Sequence, residues 1–279
     1  MKINFKTMLK HAQINKYTIP SFNFDNLEML IAITNAAEKQ KAPICLMITP
    51  NTINCIDLKY VLAITNNVIN RAKVPILLQL DHCLDPHFIK TKITSDFSSV
   101  MLNYSNYPIK ENIEKTKDIV HFAAPLGISV ESEIFYNNTK GDITNDINLI
   151  EQAILFRNKT NINGLVFTAI NSHHQDNRQD LKISLIKEIA IKMPEIFLVL
   201  HDNVTINDEQ LTLAIKAGIT KVNISSDLRK IYVESLKKSL QTNSNLSNIN
   251  TLTENAMIAI QKFVEEKIIL LGANNRYKF

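Results

Sequence analysis

Glycine is the residue this chain conspicuously lacks, with 5 in 279 residues. Loops that wrap phosphate closely depend on it, because a Cβ obstructs the backbone N–H groups that must approach the anion. No G-x-G-x-x-G follows the first apolar run and no P-loop occurs, so a dinucleotide-binding sheet would lack its phosphate turn. Cysteine is also sparse. Cys45, Cys55 and Cys83 are odd in number and have no CxxC spacing, which excludes a disulfide framework and a cysteine zinc site and fits a reducing, cytoplasmic compartment. No apolar run approaches the roughly 18 residues of a membrane span, and the first 17 residues carry no signal-peptide core. A soluble protein without a membrane partner is expected. The formal charge is only +4 and the lysines are scattered, so no nucleic-acid footprint is argued; anionic small molecules remain open as ligands.

What the chain does contain is a rhythm. Hydrophobic residues make up 45%, ample for a core. Short apolar runs rich in Val, Ile, Leu and Phe, too short for helices, occur at 18–23, 43–49, 74–81, 98–103, 127–134, 165–170, 196–201 and 220–225. Between them lie helix-spaced segments, such as Leu27, Leu30, Ile33 and Ala37, or Ile113, Ile119 and Val120. Eight strand–helix repeats predict an α/β (β/α)8 TIM barrel, and residues 1–279 suit one such domain, whose usual size is roughly 250 residues. An open doubly wound sheet is the alternative.

Polar residues gather where the predicted strands end: Asn23, Thr49, Asp81 with His82, Asn103, Glu131 and Glu133, 171–174, His201, Asn223, and Ser225 with Ser226. In a barrel these ends share one face, where such folds place their chemistry. His82, His174 and His201 follow three of the most apolar runs. Neutral imidazoles suit Zn²⁺, and three protein ligands leave a fourth position open for catalysis. Asp81, beside the first of them, is placed for general acid/base work on a substrate hydroxyl. The other reading of each histidine is a hydrogen-bonded polar group at a strand end. For Glu131 and Glu133 it is a pair of mouth carboxylates satisfied by Lys or Arg.

The residues also carry a resemblance. PSFNFDNLE at 20–28, APICLMITPNT at 42–52, LQLDHC at 78–83, SVMLNYS at 99–105, ISVESEI at 128–134, TAINSHH at 168–174, LVLH at 198–201 and KVNISSDL at 221–228 occur in the order found in the class II, zinc-dependent ketose-bisphosphate aldolases. The chain resembles the tagatose- and fructose-bisphosphate members over nearly its full length. The resemblance implies Asp81 as catalytic acid/base, His82, His174 and His201 as zinc ligands, and Glu133 as ligand to an alternative metal position. It further implies a sugar phosphate substrate held by Asn23, Thr49, Asn223, Ser225 and Ser226, and a homodimer or homotetramer.

The departures from that pattern are specific. Gln175 and the stretch 202–205 (Asp-Asn-Val-Thr) stand where relatives place the glycines of their phosphate cradle, and an ionised Asp202 would repel a phosphate dianion. The loop 135–147 lacks the family's Gly-Gly and its proton-exchanging Glu, with Asp142 or Asp146 as candidate substitutes. Asn103 replaces a common Asp. Lys221 is expected to line the eighth strand end with Asn223, Ser225 and Ser226. The competing expectations are a divergent paralogue with an unphosphorylated donor and a non-catalytic metal-binding barrel.

Overall fold

The computed structural model describes residues 2–134, 146–168, 181–202, 206–242 and 248–278. Helix α1 (Phe5–Ile14) precedes β1 (Ile19–Asn23), α2 (Leu27–Gln40), β2 (Ile44–Ile48), α3 (Pro50–Ile56) and α4 (Leu58–Arg71). Then come β3 (Ile76–Cys83), α5 (Pro86–Lys92), β4 (Ser99–Leu102), α6 (Ile109–Ala123), β5 (Ser129–Glu133) and α7 (Asp146–Thr160). The chain continues through β6 (Gly164–Thr168), α8 (Ile183–Lys192), β7 (Phe197–Asp202), α9 (Asp208–Ala217), β8 (Ile219–Ile224), α10 (Ser226–Thr242) and α11 (Ile249–Leu270). The strands pair in parallel and in sequence order, and β8 returns to β1 through Ile19↔Lys221 and Ser21↔Asn223, closing the barrel.

Each predicted strand is present, shortened or shifted by a few residues at its ends. β1, β2, β4, β5 and β8 are buried along their whole length, as expected of strands covered by helices outside and by one another inside. Asparagine sets many helix starts: the side chains of Asn4, Asn26, Asn207 and Asn248 each accept a backbone N–H of the first turn. Left-handed turns that glycine would serve are taken instead by Lys16, Lys41, Asn161 and Asn275, with φ between 51° and 59°.

Helix α1 was not anticipated from the sequence. Its apolar positions Phe5, Met8, Leu9 and Ala12 are all fully buried, and they lie at helical spacing behind the Asn4 cap. Around it, the Ile3 N–H donates to Ile76 O, the Ser98 hydroxyl donates to Ile3 O, and the Phe5 ring meets Phe197 edge-on at 5.8 Å. Those partners lie at the start of β3, immediately before β4 and at the start of β7. The helix therefore plugs the barrel at the end opposite the strand C-termini. Phe5→Ala opens a cavity under the barrel with no route for collapse, and a loss of about 3–5 kcal/mol is expected. Urea unfolding of the variant against the parent checks it.

Candidate active site

Asp81 and His82 are consecutive in β3, so a regular strand would turn them to opposite faces. The ladder prevents this. Leu80 pairs with Val100 and Cys83 with Leu102, so three steps on β3 match two on β4, a bulge of one residue. His82 absorbs it with φ +53°, a conformation that costs a non-glycine residue about 1–3 kcal/mol. The result is a buried Asp81 beside an exposed His82, whose ring lies 5.6 Å from that of His201, the two planes tilted by 37°.

His201 comes from β7 and is half-buried, with its Nε2 enclosed and without a hydrogen-bond partner among the described residues. Burial lowers its pKa to about 4, the Asp81 carboxylate opposing and His82 and Lys221 adding to the shift. A neutral imidazole with an unengaged, desolvated nitrogen next to a second imidazole is a donor set that fits a borderline-soft divalent ion. Among the described residues no three His, Cys, Asp or Glu side chains converge as a metal cluster. His174, expected as the third ligand, lies outside the described residues, as do Gln175, 203–205, the 135–145 segment with Asp142, and the side chains of Asp146 and Asp202.

Asp81 is held by neutral amides. Asn23 Nδ2 donates to its Oδ2 at 3.2 Å and Gln79 Nε2 to its Oδ1 at 3.4 Å. Asn23 Oδ1 and Asn223 Nδ2 are also buried without partners among the described residues. A desolvated and unsatisfied group costs about 1–3 kcal/mol, so both suit a bound ligand or water. They belong to the adjacent strands β1 and β8. Thr49 instead serves its own helix: it caps α3 through Thr52 N and lies 3.1 Å from the Thr52 hydroxyl. That hydroxyl donates to Asp25, which also takes a two-pronged ion pair from Arg229. Ser225 is half-buried and accepts Arg229 N through its carbonyl, while Ser226 is exposed in the first turn of α10.

The carboxylates of β5 have separate fates. Glu133 is buried and accepts Asn103 Nδ2 at 2.9 Å, and the Ser105 hydroxyl fixes the other end of that amide at 2.7 Å. Glu131 is fully buried inside the barrel and faces Lys221, also fully buried, at 2.9–3.0 Å. Burial raises the Glu131 pKa, opposed by the Lys221 ammonium and the Gln79 amide. Lys221 is thus not at the mouth, contrary to the expectation from sequence. It lies two residues before Asn223 on the same strand face, roughly 6–7 Å deeper.

Gln79, Asp25 and Arg229 escaped the sequence reading. A glutamine in the otherwise apolar VPILLQL run, two residues before Asp81 and so on its face, was the available signal for the first.

With this geometry in view, comparison with known proteins is informative. Residues 3–276 match the family described as Fructose-bisphosphate aldolase class-II. The chain is 31% identical over 282 residues to the sulfofructosephosphate aldolase of Alkalicoccus urumqiensis, covering 98% of each. It is 29% identical over 279 residues to the 6-phospho-5-dehydro-2-deoxy-D-gluconate aldolase of Shouchella clausii, covering 96% of this chain and 94% of that one. Among solved structures it is similar to the YdjI aldolase from Escherichia coli K12, with TM-score 0.83, 26% identity and full coverage of both chains.

The lowered His201 pKa has a sign that can be tested on metal-free protein. The unfolded imidazole takes a proton near pH 6.5 and the folded one only near 4. The His201 contribution is therefore complete above pH 6.5 and is lost as pH falls toward 4, with a slope of up to one proton. Denaturant unfolding of chelator-treated protein at several pH values, parent against His201→Gln, is expected to show the parent's extra slope in that window.

Proposed function

The chain belongs to the class II fructose-bisphosphate aldolase family, lyases that generally depend on a metal ion, and we propose that it is a zinc enzyme cleaving a phosphorylated ketose of the fructose- or tagatose-1,6-bisphosphate type to dihydroxyacetone phosphate and an aldehyde. The observation that carries this reading is the β3 bulge at Asp81 and His82, with the His82 ring beside that of His201, whose enclosed Nε2 has no partner among the described residues. His82, His201 and His174 would hold Zn²⁺, with Glu133 as ligand to an alternative position. When bound, the ion supplies positive charge for the substrate oxygens on which negative charge builds as C3–C4 breaks.

The remaining work falls to this chain's side chains. Asp81 accepts the C4 hydroxyl proton as the bond to C3 opens, and returns it in the condensation direction. Asn23 keeps the carboxylate in place and presents its free Oδ1 to a substrate hydroxyl. The Nδ2 of Asn223, without a partner among the described residues, donates to a substrate oxygen, and Thr49, Ser225 and Ser226 complete the polar rim. Asp142 or Asp146 supplies the proton exchanged at C3.

The whole chain, 1–279, acts as a single class II aldolase-type domain, cytoplasmic, with a small sugar phosphate as its partner and neither nucleic acid nor membrane. No described helix is long and apolar enough to cross a membrane. A homodimer or homotetramer would cover exposed apolar side chains such as Val233 on α10 and Ile258 and Ile269 on α11.

One observation favours a second reading, in which the donor lacks phosphate: the burial of Lys221 against Glu131 withdraws a cation from the strand-eight end. Both curated relatives are named for phosphorylated compounds, which keeps the phosphate reading first. The joint substitution Gln175→Gly and Asp202→Gly separates the two. It lowers KM for bisphosphates if phosphate is bound there and raises KM for unphosphorylated ketoses if they are the donors.

Zinc analysis of the purified protein, with an aldol-cleavage screen over fructose and tagatose bisphosphates and unphosphorylated ketoses, tests the proposal. Alanine at His82, His174 or His201 is expected to abolish stoichiometric metal. Asp81→Ala is expected to keep the metal and lose roughly 10²–10⁴ in rate, since its role is proton transfer. Retention of zinc by the triple histidine variant, or an unchanged rate in Asp81→Ala, sinks the assignment.

A further inference from the structure

A lysine and a glutamate lie fully buried and paired in the middle of this barrel, where apolar side chains of similar volume would pack as well or better. Each end of the pair touches the proposed site. On the lysine side, Nζ donates to Asn223 Oδ1 at 2.7 Å, which turns the Asn223 Nδ2 away from the pair and leaves it unpartnered among the described residues. On the glutamate side, Oε2 accepts Gln79 Nε2 at 2.9 Å, and the same amide nitrogen donates to Asp81 Oδ1.

Gln79 has no freedom to turn over. Its Oε1 accepts the Ser99 hydroxyl at 2.9 Å and the Cys45 thiol at 3.9 Å, and a flipped amide would set that oxygen against two carboxylates. Burial pushes the Cys45 thiol up to about 12, so it stays a donor. The pair also has dedicated space. A Cβ at Gly164 on β6 would stand 2.8 Å from Glu131 Cγ, so this strand position is kept bare where the glutamate passes.

We propose that the buried Lys221–Glu131 pair and Gln79 are positioning residues for the aldolase site: the pair fixes the Gln79 amide, which orients Asp81, and directly fixes the amide of Asn223. The inference rests on the proposed function, in which Asp81 moves the proton and Asn223 holds substrate. An ion pair serves this better than apolar packing because it determines which atom of each amide faces the site. Misplacement of a reacting group by an ångström costs on the order of 10²-fold in rate.

The test compares three variants as zinc-loaded enzymes with whichever of fructose or tagatose 1,6-bisphosphate the parent cleaves. Gln79→Met leaves the ion pair in place and is expected to keep zinc content and melting temperature near the parent's, while kcat falls roughly 10–100-fold and KM changes little. The double variant Lys221→Met, Glu131→Leu exchanges the pair for apolar volume. It is expected to remain folded, with kcat lowered and KM raised, because Asn223 is released as well. A purely structural pair predicts the opposite, a folded double variant with parental kcat and KM, and that result overturns the proposal. If the double variant does not fold, Gln79→Met decides alone: a kcat within twofold of the parent overturns the positioning role. Asp81→Ala is the control. If it is as active as the parent, or if the parent cleaves neither ketose, the proposed function falls and the positioning role with it. If it is inactive while Gln79→Met is not, only the positioning role falls.

Discussion

Closure of the parallel sheet is the constraint on which the rest of the molecule depends. Once β8 pairs with β1, every strand has two neighbours and no edge remains, so the strand interior becomes a sealed volume that side chains must fill. Contacts between strands that are not neighbours, such as Glu131 of β5 with Lys221 of β8 and Gln79 of β3 with Glu131, run through that interior. Below them α1 closes the floor with Phe5. Above them the strand ends open on the face that carries Asp81, His82, His201 and Asn223. A change in any layer is transmitted upward, because close packing leaves no slack to absorb it.

Much of this was legible in the sequence, for physical reasons that differ by element. Strands buried on both faces must be nearly all apolar, so 44–48 and 76–80 could be read as strands without reference to anything else. Their order followed from the alternation with helices. The depth of a residue along a strand was harder to read. Lys221 and Asn223 differ by two positions and share a face, yet one lies in the sealed interior and the other at the mouth, a distinction set by barrel geometry and not by residue type. The bulge was invisible as well, since a positive φ at His82 leaves no mark when the residue is not glycine. Helix α1 did leave one in Asn4, Phe5, Met8, Leu9 and Ala12, but its role as floor depends on a barrel closure made by strands that follow it in the chain.

The scarcity of glycine acts unevenly. Surface turns tolerate its replacement, and Lys16, Lys41, Asn161 and Asn275 take left-handed conformations at a cost of about 1–2 kcal/mol each. Gly164 is a different case, because there the space itself is occupied by Glu131. Gly127 and Gly272 are of another kind, held at φ +70° and +68° where an added Cβ would meet no close neighbour, so there glycine serves the backbone and not the space.

Among the described residues three carboxylates lie buried in or at the barrel, each with different partners. Glu131 is tied to an ammonium, so protonating it breaks a buried ion pair and strands a charge. Glu133 is met by the Asn103 amide, itself locked by Ser105. Among the described residues, Asp81 receives side-chain hydrogen bonds from the amides of Asn23 and Gln79, and neither donor carries a charge. No counter-ion is therefore stranded if Asp81 serves as the acid/base proposed above, whereas a proton on Glu131 would leave the Lys221 ammonium buried and alone. The charged pair sits one layer beneath, hydrogen-bonded to the amides of Asn223 and Gln79. In the proposed function chemistry and scaffold fall to different carboxylates of the same interior, and the Gln79 amide hydrogen-bonds to both, Asp81 and Glu131.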